Sequence, residues 1–140
     1  MLQETSCGAV VFLKKPKLKY LLLNYTAGHW GFVKGNMEFN ETEKETVLRE
    51  LEEETGILNA KFIEGFKENI TYVYIREGKI VHKNVFLFLV ETNTSDIKIS
   101  FEHIAFLWGT YFDTMNHLTF NNSKQILRKA NSFLDTHALL

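Results

Sequence analysis

Apolar and polar positions follow two rhythms along this chain. Ser6–Leu13 and Leu18–Asn24 are short, almost continuous apolar runs rich in strand-forming residues. Between them lies Lys14-Lys15-Pro16-Lys17, whose proline marks a turn. Tyr25–Asn40 has no period and carries Gly28, Gly31 and Gly35, which predicts a loop. The rhythm then changes. Val47, Leu48 and Leu51 share one arc of ~100° on a helical wheel and predict an apolar helix face. Asn40 or Thr42 can open that helix, with Glu43 or Glu45 as the capping-box partner, and Gly56 stands where a left-handed cap would close it. Phe62–Arg76 reads as extended, Glu77-Gly78 as a turn, and Ile80–Glu91 as the returning strand. Ile104–Tyr111 predicts one more strand. Ile126, Leu127, Ala130, Phe133 and Leu134 recur at helical spacing and predict an amphipathic helix from about Ser123 to Asp135. The order β-β-loop-α-β-β-β-α predicts an α+β fold, a sheet with helices packed on it, and not a doubly wound parallel sheet.

Composition changes this picture little. The length of 140 residues suits one domain, 1–140, and 45% hydrophobic residues suffice for a core. A net charge of −1, from 16 basic and 17 acidic residues, gives no general pull toward nucleic acid or an anionic membrane. Cys7 is the single cysteine, which excludes an intramolecular disulfide and a Cys-x-x-Cys zinc site; its apolar neighbours predict a buried residue. No basic segment leads into an apolar stretch, and no run reaches the ~18 apolar residues of a membrane span. A soluble cytoplasmic protein is the expectation. Of the 12 Phe, 5 Tyr and 2 Trp, some must be core and some could stack on a flat ligand.

Charge placement changes the picture more. Seven glutamates fall between Glu41 and Glu54, against Lys44 and Arg49. On the wheel, Glu50, Glu53 and Glu54 occupy an arc of ~100° centred roughly 120° from the apolar face. Their i, i+3, i+4 spacing brings like charges together at a cost of a few tenths of a kcal/mol per pair. One explanation is a solvated acidic face, with Arg49 paired to Glu53 one turn on. The other is a hard divalent cation, since Mg²⁺ takes oxygen ligands and bridges carboxylates to phosphates.

The residues around the trio favour the cation. Gly35, Glu41, Arg49, Glu50, Leu51, Glu53, Glu54, Gly56 and Ile57 match the Nudix box: Gly, five residues, Glu, seven residues, then Arg-Glu-apolar-x-Glu-Glu-x-Gly-apolar. At average composition a chance match is far below ~10⁻⁶. The chain thus resembles the Nudix hydrolases. That resemblance implies a mixed sheet sandwiched between helices and hydrolysis of a phosphoanhydride in a nucleoside diphosphate-linked compound, with Mg²⁺ (or Mn²⁺) as cofactor. It implies Glu50, Glu53 and Glu54 as metal ligands, one of them a possible base, with the Gly35 carbonyl as a further ligand. Arg49 would orient a glutamate, and Glu41 would support the loop–helix geometry.

Segments outside the box resemble the asymmetrical diadenosine tetraphosphate hydrolases within that family. These are Ser6-Cys7-Gly8-Ala9-Val10, His29-Trp30, Glu64-Gly65-Phe66-Lys67, Tyr72, Glu102-His103, Ala105-Phe106 and Trp108. The resemblance implies that Tyr72 and Phe106 stack on adenine, the alternative being two structural aromatics. It implies that His29, Lys34 and Lys83 contact phosphates; a mid-strand lysine such as Lys83 is otherwise usually on an exposed face. Glu102 would join the metals as ligand or general base, the alternative being a surface glutamate. Phe32-Val33 and Phe39-Asn40 depart from the prolines and the Pro-Gly usual in that group, which touches loop stiffness and not metal chemistry. Two other functions stand against this one. The first is pyrophosphate removal from a nucleoside triphosphate or an RNA 5′ end, for which the charge gives no basic groove. The second is a nucleotide-binding module without catalysis, which would commonly lack box carboxylates. Beyond a small nucleotide no partner is expected, neither membrane nor other nucleic acid, and oligomeric state is left open.

Overall fold

The computed structural model describes residues 2–137; Met1 and Ala138–Leu140, the ends of the expected 1–140 domain, lie outside them. Its elements run β1 (Leu2–Leu13), β2 (Lys19–Tyr25), β3 (Trp30–Gly31), β4 (Val33–Asn36), α1 (Glu43–Thr55), β5 (Ala60–Arg76), β6 (Lys79–Thr92), β7 (His103–Gly109), α2 (Tyr111–His117) and α3 (Asn121–Thr136). All seven strands join one mixed sheet. β1 is its axis. One edge of β1 runs parallel to β6 from Leu2 to Phe12. The other edge is shared: β4 pairs antiparallel with Ser6–Ala9, and β2 with Phe12–Leu13. β2 carries β3 and β7 outward, and β5 completes the far side as the hairpin partner of β6.

Because β1 is covered on both faces, its apolar residues run without alternation. Successive side chains point to opposite faces. Val10, Phe12, Tyr20, Leu22, Leu87 and Leu89 therefore pack with Ile126, Leu127, Ala130 and Leu134 of α3. Cys7, Ala9, Val11, Leu21, Leu23 and Val90 pack with Val47 and Leu51 of α1. This is the expected sheet between helices, and Cys7 is buried as its neighbours indicated.

Three expectations need correction. Tyr25–Asn40 is not all loop, since β3 and β4 lie within it. They are two and four residues long, too short to carry a period, and they exist because β2 and β1 offer them free edges. The last strand ends at Gly109, because the Thr110 hydroxyl accepts from Asp113 N–H at 3.1 Å and opens α2. Finally, Leu48 is 43% exposed. The buried face of α1 is Thr46, Val47, Glu50, Leu51, Glu54 and Thr55, an arc of ~180° that leaves Leu48 on one flank and Glu53 on the other. Two of the glutamates therefore share the buried face with Val47 and Leu51.

Candidate active site

The local start and stop of α1 place the site. Thr42 caps it in a complete capping box with Glu45, at 3.1 and 2.8 Å. Gly56 closes it at φ 78°, a backbone conformation that suits glycine. Asn40, the other candidate cap, is outside the helix at φ 68°. β4 passes directly alongside α1. A Cβ at Gly35 would lie 2.1 Å from the Glu50 carboxyl carbon, so only glycine lets that carboxylate sit against the strand.

Arg49 organises the approach. Its Nε donates to Glu41 Oε2 at 2.6 Å and its Nη2 to Glu41 Oε1 at 3.1 Å, a bidentate fork. Nη2 also donates to the Asn36 carbonyl at 2.9 Å, tying α1 to β4. Nη1 reaches Glu50 Oε1 at 2.8 Å and Glu53 Oε2 at 3.2 Å. Glu41 further accepts from Glu38 N–H and the Thr46 hydroxyl. Arg49 leads the causes that hold the Glu41 carboxyl down at about 2, with the Glu38 N–H next. The i, i+4 pair of Arg49 and Glu53 is thus one strand of a larger knot.

Glu54 is the opposite case. It is 4% exposed, and among the described residues its one ion-pair candidate is His103, whose Nε2 is 3.8 Å from Oε1 and whose imidazole is held by burial below its ordinary range, toward the neutral form. Those two atoms are buried without a hydrogen-bond partner; a buried polar group left so costs ~1–3 kcal/mol. Burial first, and the adjacent Glu50 second, push the Glu54 carboxyl up to about 9. Glu50 and Glu53 turn to Arg49 while Glu54 turns into the body. Among the described residues no three His, Cys, Asp or Glu side chains close on a common point. The donor set nevertheless suits a hard cation: hard carboxylate oxygens gathered beside a carbonyl-bearing strand, with one oxygen lacking any partner.

These residues line a cavity of about 800 Å³. Gly35, Arg49, Glu50, Glu53 and Glu54 line it, and so do Glu102, His29, Lys34 and Lys83. Glu102 comes from a turn held by His103 N–H on the Ser100 carbonyl at 3.1 Å, and its own carbonyl accepts from Thr26 N–H. Lys83 is 8% exposed and not on an open face, bound to Glu4 and Asn36. Burial and then Lys83 lower the Lys34 ammonium, so the two lysines form one confined basic patch. His29 stacks on Tyr25 at 4.5 Å between ring centroids, and burial holds its imidazole below its ordinary range.

A second cavity of about 410 Å³ adjoins the first and shares His29 and Lys34 with it. Its lining is otherwise largely apolar: Phe32, Ile70, Tyr72, Val85, Leu87 and Phe120. Tyr72 is there, but Phe106 lines neither cavity. The reason is strand parity. Tyr72 lies two residues beyond Ile70, on the α3 face, whereas Phe106 pairs with Leu23 and shares the α1 face with Trp108. Phe120 lines this cavity together with Tyr72, and its ring lies 5.3 Å from that of His29. Sequence reasoning passed over it, because Phe120 sits in the connection between α2 and α3, where no periodicity points. It passed over Asn36 and Glu4 for a similar reason, as polar residues whose partners are far away in sequence.

The fold and the comparisons agree on the class. A NUDIX domain model matches residues 5–128, and the chain belongs to the Nudix family of hydrolases. It is similar to the asymmetrical bis(5′-nucleosyl)-tetraphosphatases of Sus scrofa (31% identical) and Rattus norvegicus (32% identical), in each case over 92% of this chain and 94% of the relative. Among solved structures it is similar to a binary complex of a C. elegans Ap4A hydrolase, at TM-score 0.83 and 28% identity, over 95% of this chain and 98% of the other. An E. coli dihydroneopterin triphosphate pyrophosphohydrolase shares the fold at TM-score 0.75 and 16% identity, over 92% and 97% of the two chains.

Proposed function

We propose that this hydrolase cuts a phosphoanhydride of diadenosine tetraphosphate asymmetrically, giving ATP and AMP, with Mg²⁺ or Mn²⁺ as cofactor. The observation that carries the reading is the pair of adjoining cavities. One holds carboxylates and lysines and suits a metal-bound polyphosphate. The other is apolar, flanked by Tyr72 and Phe120, and suits a nucleobase. His29 and Lys34 stand where the two meet, as an α-phosphate next to a nucleoside would require. The similarity to asymmetrical tetraphosphatases over nearly the whole chain supports the same substrate.

Glu50, Glu53, Glu54 and Glu102, with the Gly35 carbonyl, would hold the cation. When bound, it would neutralise phosphate charge and lower the pKa of a bound water. The protein does the rest. Lys34 and Lys83 bind the non-bridging oxygens of the chain. Arg49 anchors the glutamates to β4. Water attacks one phosphorus, the P–O bond to the bridging oxygen breaks, and the water proton passes to a carboxylate of the cavity.

The test is a panel of diadenosine polyphosphates, nucleoside triphosphates, ADP-ribose and triphosphorylated RNA with Mg²⁺, the products separated by chromatography. ATP and AMP from the tetraphosphate are expected. Faster turnover of a nucleoside triphosphate or an RNA 5′ end overturns the substrate, and no turnover of any compound returns the chain to a binding module. No turnover after EDTA is the metal's expected signature.

A further inference from the structure

His103 contributes to none of the roles above, yet it stands between the two segments that supply the carboxylates. Its side chain is fully buried. Nδ1 lies 3.0 Å from the Ser100 hydroxyl, and the backbone N–H of His103 closes the same turn on the Ser100 carbonyl. Ser100 Oγ also accepts from Glu102 N–H at 3.3 Å. The ring edge of His103 thus fixes the turn from which Glu102 faces the cavity. The opposite edge faces α1, where Nε2 and Glu54 Oε1 are 3.8 Å apart and neither has another partner. Tyr25 packs at 4.5 Å against the imidazole and blocks a simple escape of the ring.

We propose that His103 is a positioning residue that ties the Glu102 turn to Glu54, its Nε2–H donating to Glu54 Oε1. This rests on the metal reading above. The geometry supports it in three ways. The Ser100 hydroxyl, which accepts from Glu102 N–H, has its own proton to give to Nδ1, and in that arrangement the ring proton sits on Nε2. The gap exceeds a hydrogen bond by under ~1 Å, within reach of a carboxyl rotation. With Oε1 held by His103, the other oxygen is left for the cavity. A histidine held in this way fixes a carboxylate ligand from behind, as second-layer partners commonly do at metal sites.

The experiment is Mn²⁺ binding to the metal-free protein by titration calorimetry, with wild type, His103→Gln, His103→Asn and His103→Leu, alongside ¹⁵N NMR of the histidine side chains. Gln places an N–H near the Nε2 position; Asn reaches only the Nδ1 position; Leu offers neither. Leu and Asn should weaken Mn²⁺ binding about 10- to 100-fold, and Gln should stay within about threefold of wild type. The ¹⁵N shifts should show His103 as the neutral Nε2–H tautomer at neutral pH, and Ser100→Ala should lower that population. Wild-type affinity in the Leu or the Asn variant overturns the proposal, as does a Gln variant as weak as Leu or an Nδ1–H tautomer. If Leu does not fold, the Gln and Asn pair still decides. If wild type itself takes no Mn²⁺, the metal reading fails and takes the positioning role with it; normal Mn²⁺ binding with an Nδ1–H tautomer overturns the positioning role alone.

Discussion

The two cavities that meet at His29 and Lys34 are built by different means. The larger takes eight of its lining residues from one stretch of chain, Gly35–Glu54. Its geometry is held by hydrogen bonds that converge on one guanidinium. The smaller takes its lining from Gly31–Phe32, Ile70–Tyr72, Val85–Leu87 and Phe120–Ser123, four segments that only the sheet and the α2–α3 connection bring together. The proposed chemistry is local and charged, whereas the proposed recognition is distributed and apolar. Substitutions in the first should therefore stop turnover, and substitutions in the second should shift affinity.

The sharpest break of that contrast would come from Glu53→Gln. Glu53 is on the exposed flank of α1, so the fold should persist, and kcat should fall about 10²-fold or more with little change in KM. A KM effect with unchanged kcat would place the chemistry elsewhere. On the other side, Tyr72→Ala and Phe120→Ala should each raise KM for a dinucleotide about 5- to 150-fold, the ratio that ~1–3 kcal/mol of stacking represents. kcat should move far less. Phe106→Ala, on the opposite face of the sheet, should change neither by more than about twofold; a KM effect equal to that of Phe120→Ala would restore Phe106 to the base site.

Smaller effects concern stability. A carboxyl whose folded value is raised to about 9 favours the fold below its ordinary value near 4.5 and loses that contribution as pH rises between the two. Metal-free wild type should therefore lose thermal stability from about pH 5 to about pH 9. Glu54→Gln, with no charge to bury, should lose less, by a margin of at least about 3 °C at the alkaline end. Parallel pH profiles in EDTA would mean that Glu54 stays ionised in the fold. The least effect should be that of Thr42→Ala, which removes one half of the capping box far from the apolar cavity. It should cost about 1 kcal/mol and leave KM unchanged.

What the sequence carried by itself was whatever depends on neighbours along the chain. The period of Val47 and Leu51, the Thr42 cap, the Gly56 stop and the spacing from Gly35 to Ile57 are all local, and each appears in the structure as the residues imply. The same holds for the β5–β6 hairpin and for α3. Tertiary structure decided what depends on partners. β3 and β4 are strands because β2 and β1 present edges to them. Leu48 lost its place in the core to Glu50 and Glu54 because the wheel gives an angle between residues but not the direction in which the sheet lies. Phe106 parted from Tyr72 because alternation along a strand assigns two faces without saying which of them a distant strand shares. Charge spacing announced the carboxylates. That one of them, Glu54, would be buried against His103 and another, Glu53, left on Arg49 followed only from how α1 was turned onto the sheet.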